Sequence, residues 1–285
     1  MTSLPSGAAR RCSLLLNPFH SAQYFSQDIQ REVNALGIKD WSGVYLAGRA
    51  AALGRVGAGA VTAAFHSFSH ELVARYVPAV WDVADPKDVL AARLRATDTL
   101  LRRVLGEEAV ASAEMAEAAD LALRAAEACE RPLRPLYAGH ADLPVPDAPH
   151  LAFWHATTLL REYRGDGHLI TLVHAGLDPL EALVSHGATG KGMSRKWLLV
   201  TRGWGEEDLD AAQGRLRERG LLDGEGALTA AGTALREELE VETDRLDRAP
   251  YEHLGPAGVE RLTELANRFT MALVEGGAFP ADLRG

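Results

Sequence analysis

Apolar positions recur along this chain at spacings of three and four, the repeat that lines one face of an α-helix, and hardly anywhere at the alternating spacing of a strand. Helix-period stretches fall at residues 21–36, 44–53, 58–76, 86–105 and 108–130, and Asp85-Pro86 supplies an N-cap followed by a proline at the first helical position. From Glu206 the chain starts acidic, runs through Leu209, Ala212 and Leu216 and ends basic at Arg215, Arg217 and Arg219, which suits a helix dipole; Gly220 is its stop. Leu221-Leu222, the turn Asp223-Gly224-Glu225-Gly226 and Ala227-Leu228-Thr229 then predict a short β-hairpin at about residues 221–229. Thr229 opens another helix. Leu235, Leu239, Leu246, Leu262, Leu265, Phe269 and Leu273 predict helices over Ala230–Arg248 and Pro256–Glu275, so the expected class is all-α with one small hairpin.

Composition changes divide the chain into four expected parts. Residues 1–13 are read as a flexible tail, 14–131 as an N-terminal helical domain, 132–150 as a linker carrying Pro132, Pro135, Pro144, Pro146 and Pro149, and 151–285 as a C-terminal domain. The two larger parts carry a faint internal likeness. Arg55 to Thr62 aligns without gaps on Arg164 to Thr171, and Trp81 with Arg93-Leu94-Arg95 parallels Trp204 with Arg215-Leu216-Arg217, which raises a duplication as one reading and chance matching of Ala-rich helices as the other.

The order helix, Arg-Gly-Leu-Leu, hairpin, Leu-Thr-x-x-Gly, helix resembles the MarR-type winged helix-turn-helix over roughly residues 150 to 245. That resemblance implies a homodimeric DNA-binding regulator as one function, and if the duplication is real the N-terminal half is a second winged-helix-like unit without its wing. Charge argues against strong nucleic-acid binding. With 30 basic and 39 acidic residues the net charge is −9, the hairpin turn has no Lys or Arg, and four acidic residues crowd the N-terminal end of the helix that would read bases. The one local basic stretch, Lys191 to Lys196 followed by Arg202, reads equally as a solvated loop.

Two cysteines, Cys12 in the expected tail and Cys129 on an Ala-rich helix, set no disulfide framework. Leu14-Leu15-Leu16 is cut off by Asn17-Pro18 and is too short for a leader or a membrane span, so a cytoplasmic protein without membrane contact is expected.

Candidate chemistry gathers around histidine and arginine. His66 and His70 stand four apart, a spacing that could hold a divalent metal on one helix, although no third ligand follows. His20 could serve a haem as axial ligand, with Tyr24, Phe25, Trp41, Tyr45 and Trp154 as flat neighbours, although no attachment motif is present. Arg164-Gly165-Asp166-Gly167-His168 reads as a glycine-loosened turn offering an anion clamp, a carboxylate and a titratable imidazole, or else as a helix boundary with Asp166 as N-cap. Arg49, on a largely apolar helix, either has a buried partner or ligand or extends to the surface.

Asn17-Pro18-Phe19-His20, Gly48-Arg49-Ala50-Ala51, Trp154-His155-Ala156-Thr157 with Arg161-Glu162, and the Arg164 to His168 segment are similar to an actinobacterial helix-turn-helix-containing family of poorly defined activity. No nucleophile elbow, Walker sequence or dinucleotide fingerprint is present, and no motif names a substrate. The function expected is therefore binding of an apolar or anionic small molecule, for sensing, sequestration or catalysis, in a pocket between the halves lined by His20, Arg49, His66, His70, Arg164, Asp166 and His168. The rivals are a MarR-like DNA-binding regulator and a His-dependent metal or haem enzyme.

Overall fold

A computed structural model describes residues 4–282. The helices are α1 (Ala8–Ser21), α2 (Gln27–Ala35), α3 (Trp41–Ala50), α4 (Ala58–Phe65), α5 (His70–Tyr76), α6 (Val80–Val83), α7 (Pro86–Leu105), α8 (Glu107–Val110) and α9 (Ala113–Ala126). They continue as α10 (Pro135–Ala141), α11 (Pro149–His174), α12 (Pro179–Gly187), α13 (Arg195–Arg202), α14 (Glu206–Glu218), α15 (Ala230–Leu246) and α16 (Arg248–Glu275). Caps written in the sequence start many of them: Ser26, Ser69 and Ser112 accept the backbone N–H of Asp28, Leu72 and Met115, and Asp85 accepts that of Lys87 ahead of Pro86.

The molecule is organised around α11. Residues 150–160 are buried on every side, which a helix achieves only by crossing the middle of a bundle. It packs against α1, α9 and α10, the last meeting it at Tyr163 and Asp166, and against α15. The largest apolar core combines Leu16, Phe19, Met115, Phe153, Leu160, Leu262 and Phe269, so α16 returns from the C-terminal end to close the N-terminal bundle. A second core lies among α2 to α7, and smaller ones hold α12 to α15 together. Among the described residues there is no helix long and apolar enough to cross a membrane.

Several expectations are corrected here. The tail expected over 1–13 is helical from Ala8, and Cys12 is wholly buried on its inner face; burial pushes its thiol up to about 12. Residues 1–3 of that tail lie outside the described residues, as do 283–285 of the expected C-terminal domain. The stretch 132–150 is not an open linker, since α10 forms within it and Arg134 is buried over the Tyr163 ring, bonded to the carbonyls of Tyr163 and Leu246. The hairpin shrinks to a single antiparallel bridge, Leu222 to Leu228, and no strand occurs among the described residues. The carboxylate of Asp223 folds that turn inward by accepting the N–H groups of Glu225 and Ala227, leaving too few residues for a ladder.

The proposed duplication also finds no counterpart. Arg55 to Gly57 is non-helical and leads into α4, whereas Arg164 to Thr171 lies inside α11. The Arg164 to His168 segment is therefore neither a turn nor a helix start, and Asp166 is not the N-cap of a helix beginning at Gly167; it accepts instead the backbone N–H of Tyr137 in the first turn of α10. Gly167 serves packing: a Cβ there would sit 2.6 Å from the Arg134 guanidinium.

Candidate functional site

Between the N-terminal helices and the unit formed by α12 to α14 lies a cavity of about 850 Å³. That is within the size range of ordinary ligand sites. The first turns of the chain supply Tyr24 and Phe25, α3 supplies Trp41, Tyr45 and Arg49, and the end of α4 supplies Phe65 and His66. Arg161, Arg164, Asp166 and His168 come from successive turns of α11, and Trp197 and Arg202 from α13.

One end of this space is aromatic and cationic. Trp41 and Tyr45 stack with ring centroids 5.6 Å apart, Tyr24 lies 5.2 Å from Tyr45, and Phe25 meets Trp197 edge-on at 6.3 Å. Arg49 lies over the Phe65 ring at 4.4 Å, and Arg202 over Phe68 at 4.4 Å. A single buried carboxylate, Glu162, answers these cations, 3.6 Å from Arg49 and 2.6 Å from Arg161. Burial alone raises the Glu162 pKa, but Arg161 and Arg49 outweigh it and hold the group well below the usual carboxylate range. Arg202 meets only the Thr201 hydroxyl, the Met193 sulfur and the Phe68 face, and among the described residues no carboxylate forms an ion pair with it. Nε of Arg49, Nε of Arg202 and Oε1 of Glu162 are buried without a hydrogen-bond partner.

The other end is more evenly balanced. Arg164 pairs with Asp244 at 2.9 Å, Glu240 at 3.2 Å and Asp247 at 3.3 Å, which ties α11 to α15 and the start of α16. Asp166 accepts the backbone N–H of Tyr137 at 3.0 Å, and burial pushes its pKa up to about 7. His168 bonds to the Thr243 hydroxyl at 2.8 Å, and burial lowers its pKa to about 4, so it is neutral at pH 7.

Of the seven residues expected to line a pocket, Arg49, His66, Arg164, Asp166 and His168 do so. His20 sits behind the wall, fully buried, with Nδ1 2.8 Å from the Thr158 hydroxyl and Nε2 3.0 Å from that of Tyr24, so both ring nitrogens are engaged and neither is open to an iron. Trp154 stacks on His20 inside the bundle and lies away from the cavity wall. His70 also stands off the wall and bonds to Thr62. The metal spacing fails for a geometric reason: His66 ends α4 with a positive φ of 55° and His70 begins α5, so the two are on different helices. Among the described residues no group of three His, Cys, Asp or Glu side chains is placed to hold a metal. Sequence reading missed Arg161 and Arg202 as wall residues. Arg161-Glu162 follows an eleven-residue buried run on α11, and that run is the signal that the next charged pair is buried as well.

A turn of three residues, Gly203-Trp204-Gly205, joins α13 to α14. Two helices joined by so short a turn are compatible with a helix-turn-helix. A family model described as a helix-turn-helix family matches residues 9–280. The chain belongs to this helix-turn-helix family. No curated protein and no solved structure matches the chain.

On α14 the arginines are already occupied. Arg215 bonds to Asp178 at 2.6 Å and lies 3.3 Å from Glu181, Arg219 bonds to Glu181 at 2.7 Å, and Arg217 bonds to the carbonyls of Asp223 and Gly224. The Lys191 to Lys196 stretch divides: Lys191 lines the cavity, Arg195 pairs with Glu206 and Asp210, and Lys196 pairs with Asp282. The turn itself is docked. Trp204 Nε1 donates to the Ser67 carbonyl at 3.0 Å, and the Arg202 carbonyl accepts the N–H of Ser69 at 2.9 Å. At Gly203, with φ of 74°, a Cβ would come within 2.5 Å of Leu72, so only glycine permits this approach to α5.

Proposed function

We propose that this helix-turn-helix protein binds a flat, mainly apolar small molecule carrying negative charge in the cavity between its N-terminal helices and the α12 to α14 unit. Arg202 carries this reading. A partly buried guanidinium without a carboxylate loses hydration and regains little, so an anion placed in the cavity removes a cost that the empty protein bears. Arg49 and Arg161 add positive charge beyond what Glu162 neutralises, and Trp41, Tyr45 and Phe65 offer flat apolar faces. Because Arg202 belongs to α13, a ligand held there bears directly on how the helix-turn-helix sits against the N-terminal bundle. That supports a sensor more than a passive store.

Anilinonaphthalene sulfonate, a flat aromatic anion, is a suitable probe, together with native mass spectrometry of freshly purified protein for a co-purified anion. The expected result is saturable binding to one site on the folded protein, weakened at least about 10-fold by Arg202→Met, the scale of one lost charge-assisted hydrogen bond. Unchanged binding in Arg202→Met and in Arg49→Met would remove the reading.

Membership of a helix-turn-helix family favours DNA binding as the second reading. The finer likeness of residues 150 to 245 to a MarR-type winged helix is supported by the α13-turn-α14 geometry and by the bridge that follows it. We hold it second because the α14 arginines are paired and the turn is docked in this conformation.

A further inference from the structure

Arg236 stands where the pattern of α15 calls for an apolar side chain. With Gly232, Leu239 and Thr243 it forms the buried stripe of that helix, while Glu237 and Glu238 face outward. The residue is only 7% exposed, and it belongs to the wall of the cavity. A guanidinium has five N–H donors and no acceptor. Nη2 of Arg236 donates to His186 Nδ1 at 3.2 Å, which fixes that nitrogen as the bare one of a neutral imidazole. Nε and Nη1, which carry three of the five donors, are buried without a hydrogen-bond partner.

The carboxylates at this end of the cavity are engaged elsewhere. Glu240, one turn along α15, lies 3.2 Å from Arg164; Asp244 pairs with Arg10 and Arg164, and Asp247 with Arg164. Among the described residues no carboxylate forms an ion pair with Arg236. Burial lowers its pKa, and Glu240 opposes that only in part. Arg236 and Arg202 belong to opposite ends. The groups that act on His168 are Glu240, Arg236, Arg164 and His186, whereas those around Arg202 are Tyr45, Arg49 and Arg161. Each end of the cavity therefore holds one arginine that no carboxylate answers.

We propose that the ligand of this cavity is a dianion with an acidic group at each end of a flat apolar body, one group meeting Arg202 and the other meeting Arg236. This inference rests on the anion-binding reading of the same cavity and adds a second charge to it. A buried donor without an acceptor costs free energy, and a single anion at the Arg202 end leaves the cost at α15 in place. A second acidic group removes it through charge-assisted hydrogen bonds. Length then becomes a criterion, because an acid shorter than the span gains at one end only. The two arginines sit on α13 and α15, the helices that flank α14 in the chain, so a spanning dianion holds both at once.

Rigid linear acids of increasing length test this with the full-length protein. Terephthalate, naphthalene dicarboxylate and biphenyl dicarboxylate are titrated calorimetrically, each beside its monoacid: benzoate, naphthoate or biphenyl carboxylate. At least one diacid is expected to bind about 10-fold or more tightly than its monoacid, the scale of a second charge-assisted hydrogen bond. Arg236→Met and Arg236→Gln should erase that preference while leaving monoacid affinity as in the wild type, which also shows that the variants are folded. Arg202→Met should weaken both members of the pair. If monoacids bind in an Arg202-dependent way but no diacid is preferred, or if the preference survives both Arg236 variants, the second charge is overturned and the single-anion reading stands. If none of the acids binds, both fall.

Discussion

The arginines of the cavity and the arginines of α14 are the same residue in opposite circumstances. On α14, Arg215 and Arg219 have the carboxylates of Asp178 and Glu181 waiting on α12, and Arg217 is spent on turn carbonyls. In the cavity, Arg49 and Arg161 share one Glu162 while Arg202 meets a hydroxyl, a sulfur and an aromatic face but, among the described residues, no paired carboxylate. Uncompensated positive charge therefore sits inside the molecule, on the concave face, and not on the helix a DNA-reading fold would present. Fold and charge placement are separate properties, and for this chain they point to different partners.

The sharpest way to break the comparison is to remove the buried carboxylate that Arg49 and Arg161 share. Glu162→Gln leaves Arg49 and Arg161 without an anionic partner, and loss of one member of a buried ion pair costs about 3–5 kcal/mol. A large drop in denaturant midpoint is expected; a change within error would show that Glu162 does not hold the arginines in place. The next effect concerns Arg202 and has a sign of its own. Arg202→Met should stabilise the empty protein against urea, because it deletes a poorly solvated cation, while weakening anion binding by about 1.5–3 kcal/mol.

Asp166 provides a pH test at the balanced end of the cavity. Its folded-state pKa, about 7, lies above the ordinary value of 3.8, so between these two the native chain holds a proton that the unfolded chain has released. The Asp166 contribution to stability should fall as pH rises through this window, while buried His168, lowered to about 4, adds an opposite slope up to its ordinary value, so the reading is taken from the wild-type minus Asp166→Asn difference. Asp166→Asn should recover on the order of 1–2 kcal/mol near pH 8 and flatten that part of the profile, part of the slope remaining because burial likewise raises Asp247 to about 7. A difference between the wild-type and Asp166→Asn profiles that does not fall with rising pH across this window would contradict the assignment. The smallest effect is expected on DNA. Fluorescence anisotropy with duplex from the chain's own upstream region should show no specific, salt-sensitive complex, and Arg215→Ala with Arg217→Ala should alter weak binding by roughly 0.5 kcal/mol or less. A specific complex abolished by that double variant would restore the regulator reading.

Local rules reached far in this chain. Asp85-Pro86, Gly220 and Thr229 start or stop helices where their chemistry requires, and the apolar periodicity marks the helical class. They failed where a second segment decided the matter. The glycines of Arg164 to His168 looked like a turn because glycine loosens backbone, yet both lie inside α11 and Gly167 makes room for Arg134, thirty-odd residues earlier in the chain. The prolines of 132–150 looked like a linker, yet Pro135 and Pro149 stand in the first turns of α10 and α11.

The cavity shows the same division. Arg49 and the aromatic positions Tyr24, Trp41 and Tyr45 stood out in the sequence because charge on an apolar helix and clustered rings are uncommon on their own terms. What the sequence by itself determined was therefore the helices, their ends and the kinds of side chain available. Which arginines meet a carboxylate was decided only by tertiary structure. Arg202 and Arg215 are both arginines on short amphipathic helices, and electrostatic compensation acts over a few ångströms of space between segments that are far apart along the chain.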